Sequence, residues 1–235
     1  MRYEKRAIVL ILIISLMITL FNPINDVKAS TDKKITIDIN LAQVVKAGIE
    51  TKRLPKAEPS IEHREFANVN LQAPKGNRLY YDLNDMRIKS NMSIAAVNML
   101  LDGTPIRKLA QCLVEYEDIY NVNLIYVVSI IILESGWGMS ERANNGSNNL
   151  TGHSVYGDDS PGTYFDSWEH CVEETFRLLS EDYLSENGAY FNGYTLYAVN
   201  QKYCTTSTWY EMVTEIVYQL DRWNLEDIES GVFGN

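Results

Sequence analysis

The chain has 235 residues, 46% of them apolar and 22% charged, a near-average balance that excludes both wholesale disorder and a polytopic membrane protein. Its 21 Lys and Arg against 31 Asp and Glu leave a net charge of −10. That is the wrong sign for electrostatic binding to a phosphate backbone, to anionic lipid or to an anionic wall polymer, so no nucleic-acid partner is expected.

The chain opens with Arg2, Lys5 and Arg6, then an uncharged, predominantly apolar run Ala7–Phe21 and small residues around Ala29. Basic start, apolar run and small residues before a cut predict a secretory signal peptide over residues 1–29. The alternative is an uncleaved anchor, giving transient membrane contact, but fifteen residues fall short of the about 20 that a spanning helix needs. Either reading places the remainder outside the cytoplasm, with a net charge near −12 once the leader's four cations and two anions are removed. Residues 30–77 are polar and irregular, with a short alternating run at Lys34–Ile39 and breaks at Pro55, Pro59 and Pro74. They read as a linker or a small strand-bearing extension.

From residue 78 onward the pattern is helical. Ser93–Leu101 is a short helix ending at Gly103. Ile106–Tyr120 carries an amphipathic stripe of Ile106, Leu109, Ala110, Leu113, Val114 and Tyr120. Asn123 can cap Leu124–Leu133, which is apolar almost all round and too short to cross a bilayer, so it is the central helix of a core. Residues 135–163 are rich in Gly, Ser and Asn, a loop or small hairpin lobe longer than a compact domain leaves idle. Two further helices begin at Asp166-Ser167-Trp168-Glu169 and Thr208-Trp209-Tyr210-Glu211, each with a cap oxygen three residues before a Glu.

Cys112, Cys171 and Cys204 are an odd, scattered set and read as buried free thiols. His63, His153 and His170 form no metal-ligand spacing, and Ser135 and Ser140 have no base at a telling distance, so neither a metal, a cofactor nor a serine nucleophile is expected. Of the fifteen tyrosines, Tyr156, Tyr164, Tyr183, Tyr190, Tyr194, Tyr197 and Tyr203 crowd the second half, where phenol rings offer flat apolar faces with a polar tip to a neutral groove or fill gaps between helices.

Glu134 closes the most apolar segment of the chain. Apolar surroundings disfavour its charge, and the orphan carbonyls of a helix C-terminus repel it, so both effects raise its pKa. A carboxyl kept protonated beside an open, glycine-rich lobe is what a glycosidic general acid requires. The plain alternative is a Glu that turns to solvent. Trp137, flanked by Gly136 and Gly138, offers a flat face to the same cleft.

The ordered phrases "KSNMSIAAVNMLLDGTPI", "LESGWG", "NNLTG", "YFDSW" and "YCTTSTWY" resemble the glucosaminidase domain of bacterial autolysins, glycoside hydrolase family 73, related to flagellar peptidoglycan hydrolases. The resemblance runs from about Tyr80 to Leu220 and implies a glucosaminidase-like catalytic domain over residues 78–235. The implied fold class is α+β but mainly α-helical, a lysozyme-like domain with a small β-lobe bordering a glycan-binding cleft. The implied reaction is hydrolysis of the β-1,4 bond that follows N-acetylglucosamine in peptidoglycan strands, which places a secreted chain at the cell wall; a monomer is expected. Glu134 falls on the family's catalytic acid; Asn148, Asn149 and Gly152 fall on its "NNLFG"-type segment, and Tyr203 and Tyr210 on its "YATDPxY"-type segment. Thr151 stands where the family usually has an aromatic residue and His153 where it has an aliphatic one, and "YCTTSTWY" lacks the Asp-Pro and is one residue longer. Asp158 and Asp159 are the carboxylates of the lobe and candidates for a second catalytic group, though Asp-Asp-Ser-Pro-Gly is equally a turn signature. His153 and Tyr156 complete the expected sugar-binding set. The same scaffold also serves muramidases, lytic transglycosylases and catalytically silent glycan-binding modules, which product analysis separates.

Overall fold

A computed structural model describes residues 76–155, 160 and 162–231, so the predicted leader and nearly all of residues 30–77 lie outside the described residues. The organising element is the apolar segment after Asn123. It forms helix α3 (Leu124–Ser135), following α1 (Ile94–Leu100) and α2 (Ala110–Tyr120). Beyond it come the single turn α4 (Glu141–Asn144), α5 (Trp168–Leu178), α6 (Leu196–Tyr203) and the long α7 (Trp209–Glu229).

Leu124 to Ile132 are all buried, so α3 is enclosed on every side, chiefly by α7 and also by α2 and α5. Two hydroxyls ride within this apolar rod at no unsatisfied cost, because Ser129 and Ser135 each donate back to the carbonyl four residues earlier at 2.7 Å. The Asn123 side chain caps the start by accepting from Ile125 N, as expected. The end is set by Gly136 at φ +56°, a left-handed conformation that costs a side-chain-bearing residue about 1–2 kcal/mol. Trp137 and Gly138 continue in the same region at +67° and +79°, which turns the chain sharply away from the helix axis. Gly138 is required there, since a Cβ would lie 2.7 Å from the Trp168 ring.

A buried carboxylate ties the entry of the domain to its centre. Glu117, fully buried on α2, accepts from Ser90 N (2.8 Å), Ser90 Oγ (3.0 Å) and Leu124 N (2.9 Å). The incoming segment is pinned to α7 as well, through Asn224, which accepts from Leu79 N and donates to Asn77 O.

Several boundaries differ from expectation, each for a local reason. The stretch from Ile106 is a 3-10 turn over Pro105–Leu109 before α2 begins, with Pro105 in the first-turn position it favours. Ser167, not Asp166, caps α5 by accepting from His170 N. Thr208 makes no side-chain cap bond at α7, and Glu211 instead accepts from the Tyr210 hydroxyl. Helix α6 was not predicted. It is short and tyrosine-rich, yet Thr195 caps it by accepting from Ala198 N, and α5 runs on into a π-helical turn at Leu179–Tyr183. The described fold is mainly helical. Among the described residues the expected β-lobe contains no strand: Thr163 N donates to His153 O and Phe165 N to Ser147 O, each 2.9 Å, which closes a hairpin-like loop. Residues 156–159 and 161 of that lobe lie outside the described residues. The three cysteines are free thiols.

Candidate active site

The C-terminus of α3 delivers Glu134 to the edge of a cavity of about 520 Å³. Four segments wall it: the end of α3, the turn around α4 (Ser140, Glu141, Arg142, Asn145), the lobe (Asn149, Thr151, Gly152, Val155, Ser160, Tyr164) and the end of α6 (Tyr203, Cys204). More than a third of Glu134 is accessible, but protein crowds its carboxyl and solvent reaches it through the cleft mouth. Burial is therefore the main influence on its acidity and pushes its pKa up, partly opposed by a hydrogen bond from Trp209. The orphan carbonyls of the helix end act in the same direction as burial.

The two carboxyl oxygens of Glu134 have different surroundings. Oε1 accepts from Trp209 Nε1 at 2.8 Å. Oε2 faces Gly152, whose absent Cβ would stand 3.5 Å away, and Gly152 itself sits at φ +69°. One oxygen is thus held and the other is left open on the cleft side, so a proton on Oε2 is the transferable one.

Tyr203 lines the cavity next to this carboxyl. Its ring packs on Trp209 (centroids 4.8 Å apart) and edge-on to Tyr183 (5.6 Å). Burial, and then the neighbouring Glu134 charge, raise its pKa well above the usual phenol range, so it stays a neutral hydroxyl. The turn that carries Tyr203 and Trp209 at its two ends is fastened by buried Asn200. The Asn200 amide donates to Cys204 O (3.3 Å) and Thr206 O (3.0 Å), and its oxygen accepts from Tyr210 N (3.3 Å).

The lobe is built around Asn149. Its amide donates to His153 O (3.0 Å) and Thr163 O (3.1 Å), while its oxygen accepts from His153 N (2.9 Å). Asn149 and Gly152 line the cavity, but Asn148 is a scaffold residue whose amide donates to Phe165 O. His153 turns away from the cleft: its Nε2 lies 3.1 Å from Thr175 Oγ1 and its ring meets Phe165 edge-on. Thr175 donates to Cys171 O, so its oxygen accepts from both Thr151 (3.0 Å) and His153. That fixes the proton on His153 Nε2, and burial lowers the ring's pKa, keeping it neutral. The two departures from the family pattern, Thr151 and His153, are therefore one hydrogen-bonded unit joined through Thr175.

Other expected residues lie elsewhere. Trp137 is buried in the core against Trp223 rather than in the cleft, because its own left-handed backbone swings the indole inward. Tyr210 sits outside the cavity wall, with its hydroxyl on Glu211 and its ring on Tyr197. Tyr156, Asp158 and Asp159 lie outside the described residues. Sequence reasoning missed Trp209, Arg142 and Tyr164. Trp209 reads as the first core position of a helix, Arg142 sits in a four-residue helix too short to show periodicity, and Tyr164 is one tyrosine among fifteen.

Residues 110–222 match the family model described as Glucosaminidase, mannosyl-glycoprotein endo-beta-N-acetylglucosaminidase. Among solved structures, S. aureus autolysin E is similar at 20% identity and a TM-score of 0.49, covering 65% of this chain and 75% of that one. The catalytic mutant of that autolysin in complex with the disaccharide NAG-NAM is similar at the same identity and TM-score, covering 63% of this chain and 75% of that one. No curated protein is significantly similar in sequence.

Proposed function

Given that residues 110–222 belong to the glucosaminidase family and the chain is a glycoside hydrolase, we propose that it is an exported enzyme that cleaves the β-1,4 bonds of peptidoglycan strands after N-acetylglucosamine, with Glu134 as general acid. The observation that carries this reading is the asymmetric setting of Glu134 in an open cleft: Oε1 anchored by Trp209, Oε2 bare beside Gly152, and burial favouring the protonated form. A cavity near 520 Å³ lies within the range of about 300–1,000 Å³ usual for small-molecule sites.

The chemistry follows from that geometry. A sugar seated in the cleft presents its glycosidic oxygen to Glu134 Oε2, which gives its proton to that oxygen as the C1–O bond breaks; water then supplies the hydroxyl that ends on C1, and its remaining proton returns to the enzyme. Trp209 N–H then stabilises the carboxylate left behind, and this stabilisation grows as charge develops. Tyr203, a neutral phenol beside the acid, borders the oxocarbenium-like carbon. Asn149 shapes the lobe wall, and exposed Tyr164 offers a ring face to the sugar chain at its rim. The lysozyme-like architecture with a small lobe, the division into leader (1–29), extension (30–77) and catalytic domain (78–235), and action outside the cytoplasm belong to the same proposal. Their support is the motif order and the basic-then-apolar start of the chain.

Digestion of purified walls followed by mass spectrometry tests it. Fragments with reducing N-acetylglucosamine are expected. Reducing N-acetylmuramic acid or an anhydro end would replace the proposed bond with that of a muramidase or a transglycosylase. Walls left intact would reduce the chain to a glycan-binding module.

A further inference from the structure

We infer that Arg142 reads a carboxylate on the glycan, so that the cleft prefers muramyl-containing strands to an uncharged polymer of N-acetylglucosamine. The substrate class rests on the hydrolase reading above, while the role of the residue rests on separate observations.

Arg142 is half-buried in the cavity wall. Arg78, Arg87, Arg107 and Arg177 are each ion-paired, with Asp221, Asp85, Asp102 and with Glu174 and Glu181 respectively. Arg142 makes no ion pair among the described residues. Its one hydrogen bond there is a long 3.4 Å contact from Nη2 to Ser160 O, which leaves most of its five N–H donors for a ligand. Glu141 shares the cavity wall but is exposed, and no ion pair joins it to Arg142. A cation in the wall of the cleft, in a chain of net charge −10, runs against the bulk electrostatics of the molecule.

The backbone beneath Arg142 is rigid. Ser140 Oγ accepts from Ala143 N, Ser147 Oγ donates to Arg142 O, and Trp168 Nε1 donates to Ala143 O at 2.9 Å. A guanidinium fork presented from such a base matches the two oxygens of a carboxylate. In peptidoglycan those oxygens come from two sources. The lactyl group of muramic acid is a free carboxylate where the peptide has been removed, and the stem peptide carries carboxylates where it is present. A chitin-type oligomer has neither.

The test measures binding by calorimetry with the full chain carrying Glu134→Gln, so that ligands survive, against chitin oligomers, peptide-free glycan and peptide-bearing glycan of equal length. Circular dichroism verifies that each variant is folded. The expected result is a preference of about tenfold or more for at least one carboxylate-bearing ligand over chitin, the scale of one charge-assisted contact. Adding Arg142→Gln should abolish that preference and Arg142→Lys should retain part of it. Preference for peptide-free glycan assigns the lactyl group, and preference for peptide-bearing glycan alone assigns the stem. Equal binding of all three ligands, or a preference that survives Arg142→Gln, overturns the inference. Wild-type chain that lyses walls while its Glu134→Gln form shows no preference refutes only this inference. A preference that disappears with Arg142→Gln, in a chain that never cleaves, refutes only the hydrolase reading.

Discussion

The indole N–H of Trp209 is hydrogen-bonded to Glu134 Oε1 at 2.8 Å across 75 positions of sequence. This contact joins the first residue of α7 to the end of α3, and it is the one interaction that lowers the pKa of a carboxyl which burial raises. Trp209→Phe keeps the ring and removes the donor. The alkaline limb of the pH–rate profile should therefore move to higher pH, and kcat should fall about tenfold, the loss of one hydrogen bond to a developing charge. A pH titration of kcat/KM on purified walls reads both effects, and an unmoved limb would show that Trp209 only packs.

Glu134→Gln should lower wall lysis by about 10²–10⁴-fold, the usual contribution of a general acid, in a turbidity-clearing assay. Its effect on stability has a definite sign. The folded-state pKa of Glu134 is raised, so as pH climbs past the ordinary carboxylate range the unfolded chain releases this proton first and the native state loses ground. The amide carries no such proton. The variant's Tm should match wild type near pH 4 and equal or exceed it at pH 8.

Gly152→Ala probes the open side of the acid. The new methyl would stand 3.5 Å from Oε2 at a backbone φ of +69°. Unfolding should show a loss of about 1–2 kcal/mol from the left-handed backbone. Activity should fall further than that loss explains, because the methyl covers the face where the leaving oxygen must approach. Activity that merely tracks the lost stability would place the proton on another path.

Thr175→Val removes the oxygen shared by Thr151 and His153 while keeping the volume. Buried Thr151 and half-buried His153 lose their shared acceptor, and chemical denaturation should report about 1–3 kcal/mol of destabilisation. Thr151→Phe, which restores the residue type usual in the family, should also destabilise, since Thr151 is 2% exposed and the change removes its hydroxyl contact with Thr175. A neutral outcome for Thr175→Val would mean that the polar unit is incidental.

Local rules carried the reading of this chain a long way. The continuous apolar run, the Asn123 cap and the glycine after Ser135 together define α3 and place Glu134 at its end, because each is a short-range signal. What surrounds Glu134 is non-local. Trp209 reads as a core residue from its helical stripe, and it is one, 2% exposed; that its N–H also reaches the acid depends on α7 lying along α3. Trp137 misleads for the converse reason. Flanking glycines suggest an open cleft, whereas the backbone rotation they permit sends the indole to Trp223, 86 positions away. His153 and Thr151 look like erosion of a motif until α5 supplies Thr175.

Asn200 clasps the turn between α6 and α7 from inside, while Thr205, Thr206 and Ser207 stand exposed at its tip. Length can accumulate next to the exposed Thr205 and Ser207 without shifting Tyr203 or Trp209, since the Asn200 amide also holds the roots of the loop at Cys204 O and Tyr210 N. The extra residue that sets "YCTTSTWY" apart is therefore slack rather than damage, and the same tip offers a place to graft a fluorophore or affinity tag onto a working hydrolase.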